Sequence, residues 1–280
     1  MERKSVTLYL YAQCIQARWF LAAAVMVLLT ACTLAVTAKA ETPEEKGLAI
    51  ALEADRRDTG FTDTTADLLM ILRNKQGDES RREIRYRALE VDGDGDKALM
   101  IFNTPRDIKD TKLLTFSHKT GPDDQWLFLP ALKRVKRISS SNKSGPFVGS
   151  EFAYEDMASQ EVEKYTYRHL RDEPCGALTC FVVERKPTDQ KSGYNRQVIW
   201  LDQAHYRSQK VDYYDRRDSL LKTLVFSGYR QYLEKHWRAD EMDMQNHQTG
   251  KGTKLIWSNY NFKTGLTEDV FRKKTLPQAR

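Results

Sequence analysis

The segment after the first forty residues has the pattern of a helix. Thr42 and Pro43 are typical of a helix start, with Thr42 as the N-cap and Pro43 at the first helical position. Glu45 stands three residues after Thr42 and is able to close a capping box. These residues predict a helix that runs to about Asp55, after which the helical period ends.

Alternation of apolar and polar positions fills the rest of the chain, beginning with Ala66, Leu68, Met70 and Leu72 on one face of a strand. Turn sequences such as Gly121-Pro122-Asp123-Asp124 separate the segments. Strands are predicted near residues 62–73, 81–90, 97–103, 111–117, 124–129, 133–139, 162–170, 179–186, 195–201, 206–214, 219–232, 241–248 and 253–261.

Helical character is otherwise confined to residues 151–161, which is too little to supply the crossovers of a parallel sheet. The pattern therefore predicts a mainly β fold, a large curled antiparallel sheet with a few covering helices. No repeat, linker or low-complexity tract interrupts it, so we expect a single domain over residues 41–280.

Residues 1–40 predict an export signal. A basic head of Arg3, Lys4 and Arg18 precedes or enters an apolar core, and Ala38-Lys39-Ala40 predicts cleavage after Ala40. Two alternatives remain open: Leu29-Thr30-Ala31-Cys32 resembles a lipobox that would place a lipid anchor on Cys32, and the apolar run is long enough to stay as an uncleaved anchor. All three place the rest of the chain outside the cytoplasm, in the periplasm.

Composition excludes several classes of protein. The mean hydropathy of −0.64 and the confinement of long apolar sequence to residues 19–38 exclude a multi-span membrane protein. The net charge of +6 falls to +3 without residues 1–40, because 41 basic and 38 acidic side chains remain. A charge this small does not predict a nucleic-acid partner.

The expected mature chain keeps two cysteines, Cys175 and Cys180, separated by four residues that include Gly176. In an oxidising compartment such a pair suggests a disulfide that closes the end of a hairpin. Two free thiols or half of a zinc site are the alternatives. No second Cys/His pair at metal spacing occurs elsewhere, and we predict neither a metal nor a cofactor.

Common catalytic and calcium-binding motifs are incomplete or absent in the sequence. Asp92, Asp94 and Asp96 alternate like the start of a calcium loop, but Lys97 occupies the position that requires glycine, and Asn103 stands in place of the final glutamate. Neither G-x-S-x-G nor H-E-x-x-H occurs. A catalytic triad assembled only in space stays open, so a lipid hydrolase remains an alternative.

A basic cluster is formed by Lys133, Arg134, Lys136 and Arg137, interleaved with apolar residues. It is typical of a solvated strand face. The alternative is a contact for anionic lipid headgroups or for an acidic partner surface, since several cations on one strand create a local positive potential.

Aromatic residues are frequent on the predicted strands. They either line a pocket for an apolar ligand inside a partial barrel or fill a solid core. Composition does not decide between these two interpretations.

Residues 124–139, with the sequence DQWLFLPALKRVKRIS, and residues 149–156, with GSEFAYED, carry a family resemblance. They are similar to the bacterial outer membrane lipoprotein-sorting-like family, relatives of the periplasmic carrier LolA and its receptor LolB. Further matches are Thr62-Asp63, the Cys175/Cys180 region up to Pro187, Lys222-Thr223-Leu224 and residues 242–253. The likeness extends over nearly all of residues 44–276.

The resemblance implies an incomplete antiparallel barrel with helices plugging its mouth and a hydrophobic cavity that shields acyl chains. It implies a carrier of a lipid or lipoprotein acyl chain, not an enzyme, with an inner-membrane exporter of the resistance-nodulation-division type as a partner. A passive accessory subunit with a filled core is a further alternative. Combined with the aromatic surplus, the likeness makes candidate cavity walls of Trp126, Phe128, Trp200, Tyr213 and Phe226.

Overall fold

The computed structural model describes residues 40–279. The predicted export signal falls on residues 1–40 and lies, except for Ala40, outside the described residues. Residues Thr42–Arg280 group into one compact unit. Within the described part of the chain, no helix is long and apolar enough to cross a membrane.

Helix α1 spans Pro43–Asp58 and begins as predicted. The Thr42 hydroxyl accepts from the Glu45 backbone N–H at 3.1 Å, and the Glu45 carboxylate accepts from the Thr42 N–H at 2.8 Å. The capping box therefore satisfies two amides that the first turn leaves unpaired. The helix ends three residues later than the predicted Asp55, because Arg56 and Arg57 suit the negative end of the helix dipole.

Thirteen strands follow, all antiparallel and all in one sheet. They are β1 (Asp63–Arg73), β2 (Glu79–Leu89), β3 (Lys97–Phe102), β4 (Lys112–Phe116), β5 (Asp124–Leu129), β6 (Arg134–Ile138), β7 (Tyr165–Cys175), β8 (Leu178–Pro187), β9 (Tyr194–Asp202), β10 (Ser208–Asp215), β11 (Leu220–Tyr232), β12 (His236–Asn246) and β13 (Gly252–Phe262). Each corresponds to a predicted strand. The start of β12 was predicted at residue 241, since His236 to Asp240 show no clear apolar alternation.

Spatial order in the sheet is β6-β5-β4-β3-β2-β1-β13-β12-β11-β10-β9-β8-β7, so β6 and β7 are its two edges. Leu113 on β4 and Leu127 on β5 nevertheless share one buried cluster with Tyr167 on β7 and Val183 on β8. Residues from opposite ends of the strand order meet only if the sheet curls. The predicted curled and incomplete barrel is thus confirmed.

The segment between the two edge strands corrects one expectation. Residues 151–161 were expected to have helical content, but they contain only the short 3-10 helix Tyr154–Met157. Two other short 3-10 helices, Phe147–Gly149 and Val162–Lys164, stand on either side. Polar groups of this segment bond to the strands around it, and these tertiary bonds replace the i to i−4 ladder of an α-helix.

The convex face of the sheet has its own covering. Leu99, Leu114 and Trp126 pack with Phe271 and Leu276, which the C-terminal 3-10 helices Glu268–Phe271 and Lys273–Gln278 supply. The C-terminal segment therefore shields apolar side chains that the strand alternation turns away from the interior.

Candidate functional site

A pocket of about 720 Å³ lies inside the curl, between α1, the turn that joins β2 to β3, and the concave face of the sheet. Apolar side chains form much of its wall: Val162, Tyr167, Val183, Ile199 and Leu201. Its volume is in the range of small-molecule and cofactor sites. Charged side chains form a large part of the remaining lining.

One wall of the pocket belongs to α1, through Ala51 and Ala54. Small side chains at these two positions leave space in front of the helix. Gly47 lets the helix approach β7 closely, because a Cβ there would lie 2.7 Å from the backbone nitrogen of His169. The next residue after Ala51, Leu52, points outward and is 50% exposed.

Seven carboxyl residues line the pocket: Asp55, Asp58, Glu90, Asp92, Asp94, Asp96 and Glu161. Burial raises the pKa of Asp96 to about 7, and the charge of Glu161 adds to this rise. Burial also raises the pKa of Asp55 and the pKa of Glu161, while the charge of Lys119 lowers both. Among the residues that the structure describes, no group of His, Cys, Asp or Glu is placed to hold a metal ion.

Arginines line the same pocket with different partners. Arg207 pairs at 2.8 Å with Asp202, a fully buried carboxylate, and Arg238 pairs with Asp58. Arg185 bonds to two neutral amides instead: its Nε donates to Gln197 Oε1 at 2.6 Å, and one of its terminal nitrogens donates to Gln160 Oε1 at 3.0 Å. The Arg185 guanidinium therefore has no carboxylate partner among the described residues.

Residues 147–157, the plug, lie near the end of β1, where the Glu151 N–H donates to the hydroxyl of Thr253, the β13 residue that pairs with Leu72. Lys222 Nζ donates to Asp156 Oδ2 at 2.8 Å and to the Glu151 carbonyl at 2.8 Å. The Tyr194 hydroxyl donates to Asp156 at 2.9 Å. Burial holds the pKa of Tyr194 well above its usual value. The plug is thus fixed by a buried ion pair and its hydrogen bonds.

Sequence reasoning noticed the plug residues and Lys222 only as parts of a family likeness. The spacing within the chain did not show that Asp156 and Lys222 would meet, since they stand 66 positions apart. The presence of a lysine on an otherwise alternating strand was the available signal.

The five predicted wall residues do not lie together. Tyr213 is buried in the interior cluster beside Tyr194, and Phe226 packs against that cluster. Trp126 and Phe128 pack on the convex face under the C-terminal segment, and Trp200 belongs to a separate cluster with Cys180. None of the five lines the 720 Å³ pocket. Their role in binding stays a prediction, and the residues that do line the pocket are a better choice for testing it.

The basic cluster Lys133, Arg134, Lys136 and Arg137 lies on edge strand β6 and the turn before it, and all four side chains are exposed. Arg137 pairs with Asp124 on β5. Leu132, at the tip of the same turn, is 67% exposed. A contact of this surface with headgroups or a partner stays a prediction.

The disulfide between Cys175 and Cys180 is formed and joins β7 to β8. Gly176 in the turn has φ of +66°, a left-handed conformation that glycine adopts without strain. The prediction of a bridged hairpin end is confirmed, and the alternatives of free thiols and of half a zinc site are excluded.

Solved structures of related proteins have the same fold. A protein from Vibrio parahaemolyticus described as an outer membrane lipoprotein-sorting protein domain is 58% identical with a TM-score of 0.82, over 84% of this chain and 99% of that one. A DUF1329 family protein from Desulfovibrio piger is 29% identical with a TM-score of 0.80, over 84% and 99% of the two chains. A LolA superfamily protein from Nitrosomonas europaea shares the fold at 20% identity, with a TM-score of 0.65 over 81% and 98%.

A family model described only as uncharacterised-protein-like matches residues 94–278, more than half of the chain. No curated protein matches the chain significantly. The curled antiparallel sheet with an internal pocket is a LolA-like fold. With 58% identity to the Vibrio domain, the chain belongs to the outer membrane lipoprotein-sorting-like family.

Proposed function

We propose that the protein is a periplasmic carrier or chaperone that binds an acyl chain of a lipid or lipoprotein in the pocket inside the curl. The observation that carries this proposal is the pocket of about 720 Å³ whose wall includes a cluster of apolar side chains, in a chain 58% identical to a domain described as lipoprotein-sorting. Export to the periplasm is part of the proposal and rests on the sequence of residues 1–40.

Burial of apolar surface supplies the driving force. Each methylene that leaves water contributes about 0.8 kcal/mol. Ten buried methylenes would therefore contribute roughly 8 kcal/mol, from which the cost of association is subtracted. With a longer chain the dissociation constant reaches the micromolar range, which suits a carrier that must both bind and release its ligand.

Transfer to or from a membrane protein completes the proposal. An inner-membrane exporter of the resistance-nodulation-division type is the expected partner. The exposed cations Lys133, Arg134, Lys136 and Arg137, with Leu132 beside them, support a contact with anionic headgroups or an acidic partner surface.

Incubation of the purified protein with a radiolabelled lipid tests carrier against hydrolase. A carrier retains the lipid unchanged and in stoichiometric amount after gel filtration. Turnover of the label into free products would support a lipid hydrolase, and absence of both retention and turnover would support the passive accessory subunit.

A further inference from the structure

We propose that Arg185 anchors the anionic head of the bound amphiphile, so that the pocket selects acyl chains that end in a carboxylate or a phosphate. This inference rests on the proposed carrier function and names the class of cargo for the same pocket.

Position supports the assignment. Arg185 stands two residues after Val183 on β8, and strand alternation puts both side chains on the concave face. Both line the pocket, together with Tyr167 and Ile199. A head held at Arg185 would therefore leave its apolar chain against the apolar part of the wall.

The guanidinium is held in place without being neutralised. Its carbon lies over the Tyr165 ring at 4.3 Å from the centroid, and Gln197 and Gln160 each accept one hydrogen bond from it. Arginine has five N–H donors in a fixed fork. Two are used in this way, so donors remain for a ligand oxyanion, which arginine binds in bidentate fashion.

The other arginines that line the pocket are paired with carboxylates and are not free to bind an anionic head. Arg57 pairs with Glu53 at 2.7 Å, Arg207 with Asp202 at 2.8 Å, and Arg238 with Asp58. Arg185 is the lining arginine that has no carboxylate partner among residues 40–279. An anionic head that entered the pocket would find an arginine there that pairs with no carboxylate of the described residues; Lys119 and Lys235 are further cations of the lining.

The carboxyl groups of the pocket lie on other elements. Asp55 and Asp58 belong to α1, Glu90, Asp92, Asp94 and Asp96 to the connection between β2 and β3, and Glu161 to the segment before β7. Their negative charge repels an anionic head, whereas the Arg185 guanidinium attracts it. Lys119 also lines the pocket, and its positive charge reduces this repulsion.

The test compares four ligands with the same chain: lauric acid, lauryl phosphate, lauryl alcohol and laurylamine, each displacing a fluorescent acyl probe. Inorganic phosphate alone is a fifth arm and separates binding of a lipid head from binding of a free anion. Wild type is compared with R185Q and R185K. The control variant is R196Q, since Arg196 also stacks on a tyrosine and lies on neighbouring β9, but pairs with Asp218 outside the pocket.

We expect wild type and R196Q to bind the acid and the phosphate about tenfold or more tightly than the alcohol, as charge-assisted hydrogen bonds would give. In R185Q the preference should disappear while affinity for the alcohol stays unchanged, and R185K should keep part of it. Inorganic phosphate alone should not displace the probe.

Contrary outcomes separate the two proposals. Equal binding of acid and alcohol to wild type overturns the role of Arg185 and leaves the carrier function standing. Equal loss of both ligands in R185Q shows a structural role only and also overturns it. A preference for the amine contradicts the assigned charge, and failure of all four chains to bind refutes both proposals.

Discussion

Removal of one partner from the buried ion pair that holds the plug should strongly destabilise the protein. The Lys222 and Asp156 side chains are 4% and 7% exposed, and their charged atoms are 2.8 Å apart. K222M would leave the Asp156 carboxylate buried with only the Tyr194 hydroxyl and the Ala153 N–H as partners. Breaking a buried pair in this way costs about 3–5 kcal/mol.

The double variant K222M/D156N removes both charges and should be more stable than K222M alone. We expect a cost of roughly 1–2 kcal/mol relative to wild type, because the neutral amide that replaces the carboxylate of Asp156 needs no counter-ion. Urea unfolding followed by tryptophan fluorescence gives the free energy of unfolding of all variants. The control is K254M, which breaks a surface pair with Glu241 at 3.1 Å, exposed by 35% and 43%, and should cost about 1 kcal/mol or less.

If the free-energy costs of K222M and of D156N, measured separately, add up to the cost of the double variant, the reasoning is refuted. A cost for K222M no larger than that of K254M would refute it as well. In either case the plug would be held mainly by its apolar residues and not by the Lys222–Asp156 pair.

Three further predictions concern other parts of the fold. Burial raises the pKa of Asp96 from 3.8 to about 7. The contribution of the protonated carboxyl to folding stability is therefore complete below about pH 4 and is lost as the pH rises through 7. The stability of D96N relative to wild type should rise by up to about 3 kcal/mol between pH 5 and pH 8 in urea titrations. Replacing Cys175 and Cys180 by alanine should cost about 2 kcal/mol on the chain-entropy model, and a thermal unfolding midpoint equal to that of wild type would contradict it. F271A should cost about 3–5 kcal/mol and shift tryptophan emission to the red as Trp126 loses its cover, whereas an unchanged spectrum would argue against that packing.

Much of the fold could be predicted from the sequence because its signals are local. The capping box at Thr42 and Glu45 and the period of two along each strand depend only on near neighbours, and both are confirmed. Residues 236–240 at the start of β12 were missed, because they pair with the end of β11 across a short turn but show no apolar alternation in the sequence.

The site was less accessible to sequence reasoning because it depends on which face of each strand turns inward. Alternation correctly separates Trp126 and Phe128 from Leu127, and the structure puts Leu127 in the interior cluster. Nothing within β5 alone indicates that the aromatic face would be covered by the C-terminal segment. Likewise, the neutral amide partners of Arg185 come from β9 and from the segment before β7.

The central claim is that an acyl chain occupies the pocket inside the curl, and one measurement tests it most directly. Binding of a fluorescent fatty-acyl probe is titrated with wild type and with two variants of adjacent residues on α1, A51W, which fills the pocket, and L52W, which places the same side chain on the exposed face. We predict one probe bound per wild-type chain, unchanged binding in L52W and loss of binding in A51W with the fold retained by circular dichroism. Equal binding by A51W and L52W, or no binding by wild type, would contradict the claim.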